Sequence, residues 1–316
     1  MTSISSKVAW LLRSETLKHV QRAFLLAAVC AITVLVYRYR FQAADLVRTA
    51  DLSLIAMGAI VLVVLHALVA AAFNCLHRAL DVRRRLADTM ASYFARLPAR
   101  YLPGGVWHTV TRYIDIHAQQ KVDKRTFGVL FLAETGTVAV SGLLIGSALG
   151  QFFITGSDLV TRVTQIMLAA GVVLAVVLWF AAARAGVRPR VTAFVVAVLA
   201  FGLNWIGLGI AFALYAHALH GGAFAMCGSA ILASTYDIAA SLGYVTIFAP
   251  QGWGITELSF GTLQTCGAKL PETVTALAGF RIVILIADVL AFSLGLALAT
   301  VSARMRRRHP SSLDRS

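Results

Sequence analysis

The stretch FAPQGWGITELSF, residues 248–260, sits between two long apolar runs and carries a proline, two glycines and the carboxylate of Glu257. A membrane helix would place leucine there, and an ordinary connection would be short and polar. Proline removes a backbone donor and glycine holds no single conformation, so the segment reads as a break in the helical pattern. The rest of the chain has to explain why a break is tolerated at that point.

Of 316 residues, 59% are hydrophobic and 13% charged, and the mean hydropathy is +0.79. A soluble core needs far less apolar surface, so the chain is read as an all-α polytopic membrane protein with a single integral membrane domain. Its net charge of +14 comes from 28 Lys and Arg against 14 Asp and Glu. The basic residues cluster in short segments between apolar runs, a pattern of topology and anionic-headgroup contact that argues against a nucleic-acid partner. Cys30, Cys75, Cys227 and Cys266 stand singly, without CxxC spacing, and are expected to be small packing residues. The histidines lack zinc-ligand spacing, and neither a P-loop nor a nucleophile elbow occurs. No metal, no cofactor and no enzymatic activity are therefore expected.

A hydrocarbon core of about 30 Å takes roughly 20 helical residues. Runs at residues 23–39, 52–73, 127–149, 163–183, 191–216 and 273–301 are read as spans. Two regions are less simple: an amphipathic one at 86–117, centred on ARYLPGGVW, and one at 223–267, centred on the opening stretch. Suppose each is a hairpin that enters and leaves the membrane on one side, with the N-terminus in the cytoplasm. The inside segments then hold 22 basic residues and the outside segments five. This is a strong positive-inside signal and places both termini in the cytoplasm, including the basic tail 304–316. An eight-span arrangement also keeps the C-terminus inside, but it loads its seventh span with Pro250, Gly252, Gly254 and Glu257, which makes it the weaker one. Lys7, Arg13, Lys18 and Arg22 precede an apolar run without an A-x-A-like cleavage site, which reads as a retained first span.

Pro103, in RYLPGGVW, and Pro250 are 147 residues apart. The same offset aligns Gly105 with Gly252, Thr109 with Thr256, Thr126 with Thr273 and Leu130 with Leu277. The order span, span, broken hairpin, span thus occurs twice, in 1–150 and in 151–303. Three spans per copy is an odd number, so the second repeat is inverted relative to the first, as in transporter folds built with broken helices. Non-helical backbone at membrane depth is tolerated only where protein buries it or water reaches it. Two hairpin tips entering from opposite faces would line one midplane polar cavity. The plainer alternative is that Pro250 and its glycines only join two surface helices.

The offset also pairs Glu134 with Arg281, at matching depths in the closing span of each repeat. A charge there costs about 2.5–3.5 kcal/mol on insertion scales and so faces a partner or a wet cavity. The opposite signs point either to a structural bridge or to a shared ligand site. Asp288, two turns after Arg281 on the same face, and Asp237, in the run before the opening stretch, are alternative partners for Arg281. Glu257 either caps the helix after Pro250 or binds ligand or proton. Trp107 and Arg112 offer an aromatic plane and a cation to a phosphate headgroup, or else act as an interfacial Trp and a snorkelling Arg. His66 reads as a hydrogen-bonded packing residue, with proton carrier as the alternative.

With these residues in place, the chain resembles the lysylphosphatidylglycerol synthase transmembrane-region family, a flippase-like membrane domain found alone or fused to cytoplasmic enzymes. The resemblance covers about residues 20–303. PQGWGITE, Pro250 to Glu257, is similar to the family's P-x-G-x-G-x-x-E signature, and the Arg281 segment to the arginine of its last helix. RYLPGGVWHTVTRY, residues 100–113, is similar to the P-G-x-V-W segment of a subgroup associated with cell-surface polysaccharide or glycolipid synthesis. Glu134 falls where the family has an acidic residue. Gln251 stands where a glycine is frequent, and Thr135 where many members carry arginine. The resemblance implies movement of an anionic or modified lipid between leaflets. The aminoacyl transfer in the family's name belongs to a separate soluble domain and is not expected here.

The expected function is therefore lipid translocation in a bacterial inner membrane, on an anionic, modified or polyprenyl-phosphate lipid. Arg281 and Arg112 would attract the headgroup, while Glu257 and Glu134 balance its charge or couple movement to protons. The alternative is a non-transporting accessory subunit that docks an envelope-biosynthesis enzyme, such as a glycosyltransferase or polymer-export partner, through the basic segment 78–100.

Overall fold

The computed structural model describes residues 48–80, 82, 84–101, 108, 112, 124–184, 191–219, 224, 227–246 and 250–308. The expected first span at 23–39, the first break at Pro103, Gly105 and Trp107, and tail residues 309–316 lie outside the described residues. Among the described residues there are eight α-helices and no strand: α1 Leu52–Ala79, α2 Leu86–Ala95, α3 Lys124–Phe153, α4 Asp158–Arg184, α5 Val191–Ala218, α6 Ser229–Val245, α7 Ile255–Leu263 and α8 Leu270–Arg308. Short 3-10 turns occupy Leu97–Tyr101 and Pro250–Gly252. Five helices, α1, α3, α4, α5 and α8, contain stretches long and apolar enough to cross a membrane, so the architecture is that of a multi-pass helical membrane protein.

Each of the five outruns the apolar run that announced it, because caps rather than hydropathy end a helix. The Asp51 carboxylate accepts the Ser53 amide at 2.9 Å at the start of α1, and His77 and Arg78 face the carbonyl end of its dipole. The Asp51 amide donates to the Ala218 carbonyl at 2.9 Å, which fixes the start of α1 beside the end of α5. These two helices share the largest contact in the fold, while α4 packs mainly on α3. Val172, Val173, Val176, Val177 and Phe180 of α4 face outward, as they do when the solvent is hydrocarbon.

Helices in lipid gain little from hydrophobic burial against one another and depend on close packing instead. Where α5, α6, α7 and α8 meet, Phe212 stacks on Tyr236 at 4.5 Å and meets Phe260 and Phe280 edge-on at 5.1 and 5.2 Å. Each such pair contributes about 0.5–1.5 kcal/mol beyond its burial.

The opening stretch breaks as its composition predicts. Helix α6 ends at Val245, and Gln251, Gly252 and Gly254 adopt φ of 55°, 68° and 82°, in the left-handed region. Glycine takes that conformation freely; Gln251 takes it under strain. The chain then restarts as α7, nine residues long, about 13 Å, which is too short to be the seventh span of the eight-span arrangement. Helices α6 and α7 pack on one another, and their distant ends are tied together by a disulfide between Cys227 and Cys266, whose Cα atoms are 5.5 Å apart. This corrects the expectation of separate packing cysteines. At a sequence separation of 39, only closure of the helical pair brings the thiols together.

At the tip the two backbones nearly touch. A Cβ on Gly243 would lie 2.3 Å from Thr256 Oγ1 and 3.1 Å from the Gly252 Cα. Gly243→Ala is therefore expected to destabilise the fold by about 1–3 kcal/mol, read as a lower Tm in detergent. Gly128→Ala, where the added Cβ meets nothing within 4 Å, should leave Tm unchanged or raise it.

Candidate functional site

Glu257 lies in the first turn of α7 and uses both carboxylate oxygens. Oε2 accepts the Gly254 amide at 2.8 Å, capping the helix, and Oε1 accepts from Arg281 Nε of α8 at 2.7 Å. The capping and charge-binding readings of this residue thus hold together. Arg281 also donates from Nη1 to the Gln251 carbonyl at 3.3 Å and lies 5.0 Å over the Trp253 ring. The left-handed turn at Gln251 is what aims that carbonyl at the guanidinium.

The Gln251 side chain extends the assembly toward the first half of the chain. Its amide nitrogen donates to the Arg100 carbonyl at 2.9 Å, and Arg100 Nη2 donates to Gln251 Oε1 at 3.3 Å. Arg100 Nη1 also reaches Asp288 Oδ1 at 3.2 Å, and the same oxygen accepts from His66 Nε2 at 2.7 Å. His66 Nδ1 in turn accepts from the Tyr93 hydroxyl at 3.4 Å. Beyond Tyr93 stands Arg112, its guanidinium 5.7 Å from the Tyr93 ring and 4.2 Å over that of Phe73. Arg112 Nη2 donates to Glu134 Oε1, which also accepts from His77 Nε2 at 2.7 Å.

A polar chain therefore runs through the protein from Glu257 to His77, with three arginines each held by a carboxylate. Arg112, Glu134 and Asp288 are all buried, at 3% exposure, and His77 is fully buried. Isolated charges so placed would cost several kcal/mol each, so pairing is the condition on which they are kept. Among the described residues, three atoms at the Arg112 end are without a partner: Arg112 Nη1, Glu134 Oε2 and His77 Nδ1.

The expected bridge between Glu134 and Arg281 is not formed. The ion pairs formed instead are Arg112 with Glu134 of α3 and Glu257 with Arg281 of α8, so the long helix supplies the carboxylate in one and the guanidinium in the other. Asp288 binds His66 and Arg100 rather than Arg281. Among the described residues no side chain hydrogen-bonds the Asp237 carboxyl, which stands outside the chain of contacts. Pro250, Gly252 and Gly254 shape the turn that presents Gln251. Arg100 and His77 went unnoticed in the sequence, Arg100 because it sits in a basic segment that reads as a topology anchor. Gln251 had one signal, its occupation of a position where glycine would be easier.

No protein-family profile matches this chain, and no curated protein matches it.

The geometry separates two pairings by measurement. In a double-mutant cycle Glu257→Ala and Arg281→Ala should couple by more than about 1 kcal/mol, because they share one contact. Glu134→Ala and Arg281→Ala, with no shared partner, should add to within about 0.5 kcal/mol.

Proposed function

We propose that this chain is a lipid translocase of a bacterial inner membrane, related to the lysylphosphatidylglycerol synthase transmembrane-region proteins, without lysyl transfer or other enzymatic activity and with no cofactor. It moves an anionic or polyprenyl-phosphate lipid between leaflets. The observation that carries this reading is the run of arginine–carboxylate pairs, Arg281 with Glu257, Arg100 with Asp288 and Arg112 with Glu134. Two oxygens of a tetrahedral phosphate offer a guanidinium the same pair of acceptors as a carboxylate, so a headgroup replacing Glu257, Asp288 or Glu134 in turn would leave no arginine unpaired. The spare Nη1 donor of Arg112 gives such a headgroup a first foothold.

Lipid tails have a place to stay during this passage. An apolar groove of about 690 Å³ runs between α1 and α8, lined by Leu52, Ile55, Val63, Val283, Leu290 and Leu294. The same two helices carry His66 and Asp288 on their buried faces.

In this reading the α6–α7 pair is a re-entrant hairpin and the two halves are inverted repeats. The exchanged signs of the two ion pairs support that relation, and so does the tie at Cys227 and Cys266, which holds the entry and exit of the hairpin together. Rocking one repeat against the other would then open the polar chain to each face alternately. The disulfide end belongs outside, where thiols are oxidised, and the ends bearing Arg84, Arg85 and Arg184 belong in the cytoplasm with both termini. The docking alternative has less behind it, since Arg84 is 6% exposed and Arg100 is engaged with Asp288 and Gln251, which takes both from a basic docking surface.

Purified protein in liposomes should equilibrate a fluorescent anionic or polyprenyl-phosphate lipid between leaflets. Arg281→Ala should slow this about tenfold or more, the equivalent of roughly 1.4 kcal/mol on the barrier. Absence of movement for every such lipid would end the proposal. Orientation has its own check: in right-side-out vesicles an impermeant reductant followed by an impermeant maleimide should label Cys227 and Cys266. Labelling confined to inverted vesicles would reverse the topology.

A further inference from the structure

Asp237, in the middle of α6, is fully buried, and neither of its carboxyl oxygens has a hydrogen-bond partner. One turn on, Ser241 is 1% exposed and its Oγ is likewise without a partner. The two helices packed against this face of α6 meet it with bare backbone. On α5, a Cβ added to Gly209 would lie 2.7 Å from Asp237 Oδ2 and 2.9 Å from its Cγ. On α3, a Cβ added to Gly142 would lie 2.9 Å from Ser241 Oγ, and one added to Gly146 would lie 3.4 Å from the Asp237 carbonyl oxygen.

Among the described residues, no ionisable side chain on the surrounding elements is hydrogen-bonded or ion-paired to Asp237. On α3, Glu134 is held by His77 and Arg112, and on α7, Glu257 is held by Arg281. On α5, His217 bonds to Ser229 at 2.9 Å, and Tyr215 turns its hydroxyl toward Gly279 of α8. On α6 itself, Tyr236 is stacked on Phe212 and Tyr244 lies edge-on to Trp205. Every other carboxylate in the protein's interior that the polar chain uses is met by arginine or histidine. Asp237 is met by glycine.

A lone carboxylate in this place would cost several kcal/mol, whereas a carboxylic acid is neutral and no larger than the space the glycines leave. An ionisable group inside a membrane with no counter-charge is one whose charge is supplied and removed by the proton. We propose that Asp237 is a proton-binding site, occupied while α3, α5 and α6 are closed around it and emptied when α6 moves away from α5. Proton release is thereby tied to movement of the α6–α7 hairpin, and on the translocase reading above it drives the lipid step. Helix α6 is placed to do this because it is fastened at one end by the disulfide and at the other by the ion pair of Glu257.

The test begins with the wild-type protein and dicyclohexylcarbodiimide, an apolar reagent that attacks protonated carboxyls in apolar surroundings. Mass spectrometry should find an N-acylurea adduct on Asp237 at neutral pH that declines as pH rises. The adduct should be missing from Asp237→Asn and retained on Asp237 in Glu257→Gln. No adduct on Asp237, or one indifferent to pH, overturns the site. Coupling is read separately in liposomes under an imposed pH gradient, where Asp237→Asn should lose the acceleration that wild type shows. A gradient response unchanged in Asp237→Asn overturns the coupling. If wild type moves no lipid at all, the translocase reading fails, while the adduct still decides whether Asp237 binds the proton.

Discussion

Inside a bilayer the interior of a protein can lean on no solvent for its charges, and the pairing of Arg281 with Glu257 is where this constraint shapes the fold most. One carboxylate caps α7 through the Gly254 amide and binds the guanidinium of α8. The same guanidinium takes up the Gln251 carbonyl that the broken backbone leaves exposed. A helix interrupted inside the protein has orphaned polar groups, and here the charged side chains that seem expensive are what satisfy them. Remove the break and Arg281 has nothing to hold; remove Arg281 and the break is left with an unanswered carbonyl and a buried carboxylate.

The two long helices meet their partners with opposite charges. Arg112 meets a carboxylate on α3, whereas Glu257, after the break at Gln251, meets a guanidinium on α8. Gln251 and Arg100, with Asp288, His66 and Tyr93, lie between the two pairs and connect them by side-chain contacts. Balanced charge along the whole path keeps the interior near neutrality, which lowers the cost of burying so many ionised groups together.

Several features were legible from residue types. The five described spans followed from hydropathy, and the break followed from Pro250, Gly252 and Gly254, whose backbone preferences act locally. That Glu134 and Arg281 would need partners followed from the cost of a charge in an apolar run. Their partners did not follow. The offset of 147 that set Glu134 opposite Arg281 relates equivalent positions in the chain, and equivalent positions need not touch. Cys227 and Cys266 carried no pairing signal, because their approach depends on how far α6 and α7 fold back.

By itself, then, the sequence determined the all-helical membrane class, the break between Pro250 and Gly254 and the need of Glu134 and Arg281 for partners, since these depend on transfer energies and on the dihedral limits of single residues. Tertiary structure alone decided who compensates whom: Arg281 with Glu257, Arg112 with Glu134 and His77, Asp288 with Arg100 and His66, and Asp237 with no one. The reason is physical. An ion pair forms within about 4 Å and depends on rotamer and helix phase, neither of which spacing along the chain can specify once the partners lie on different helices.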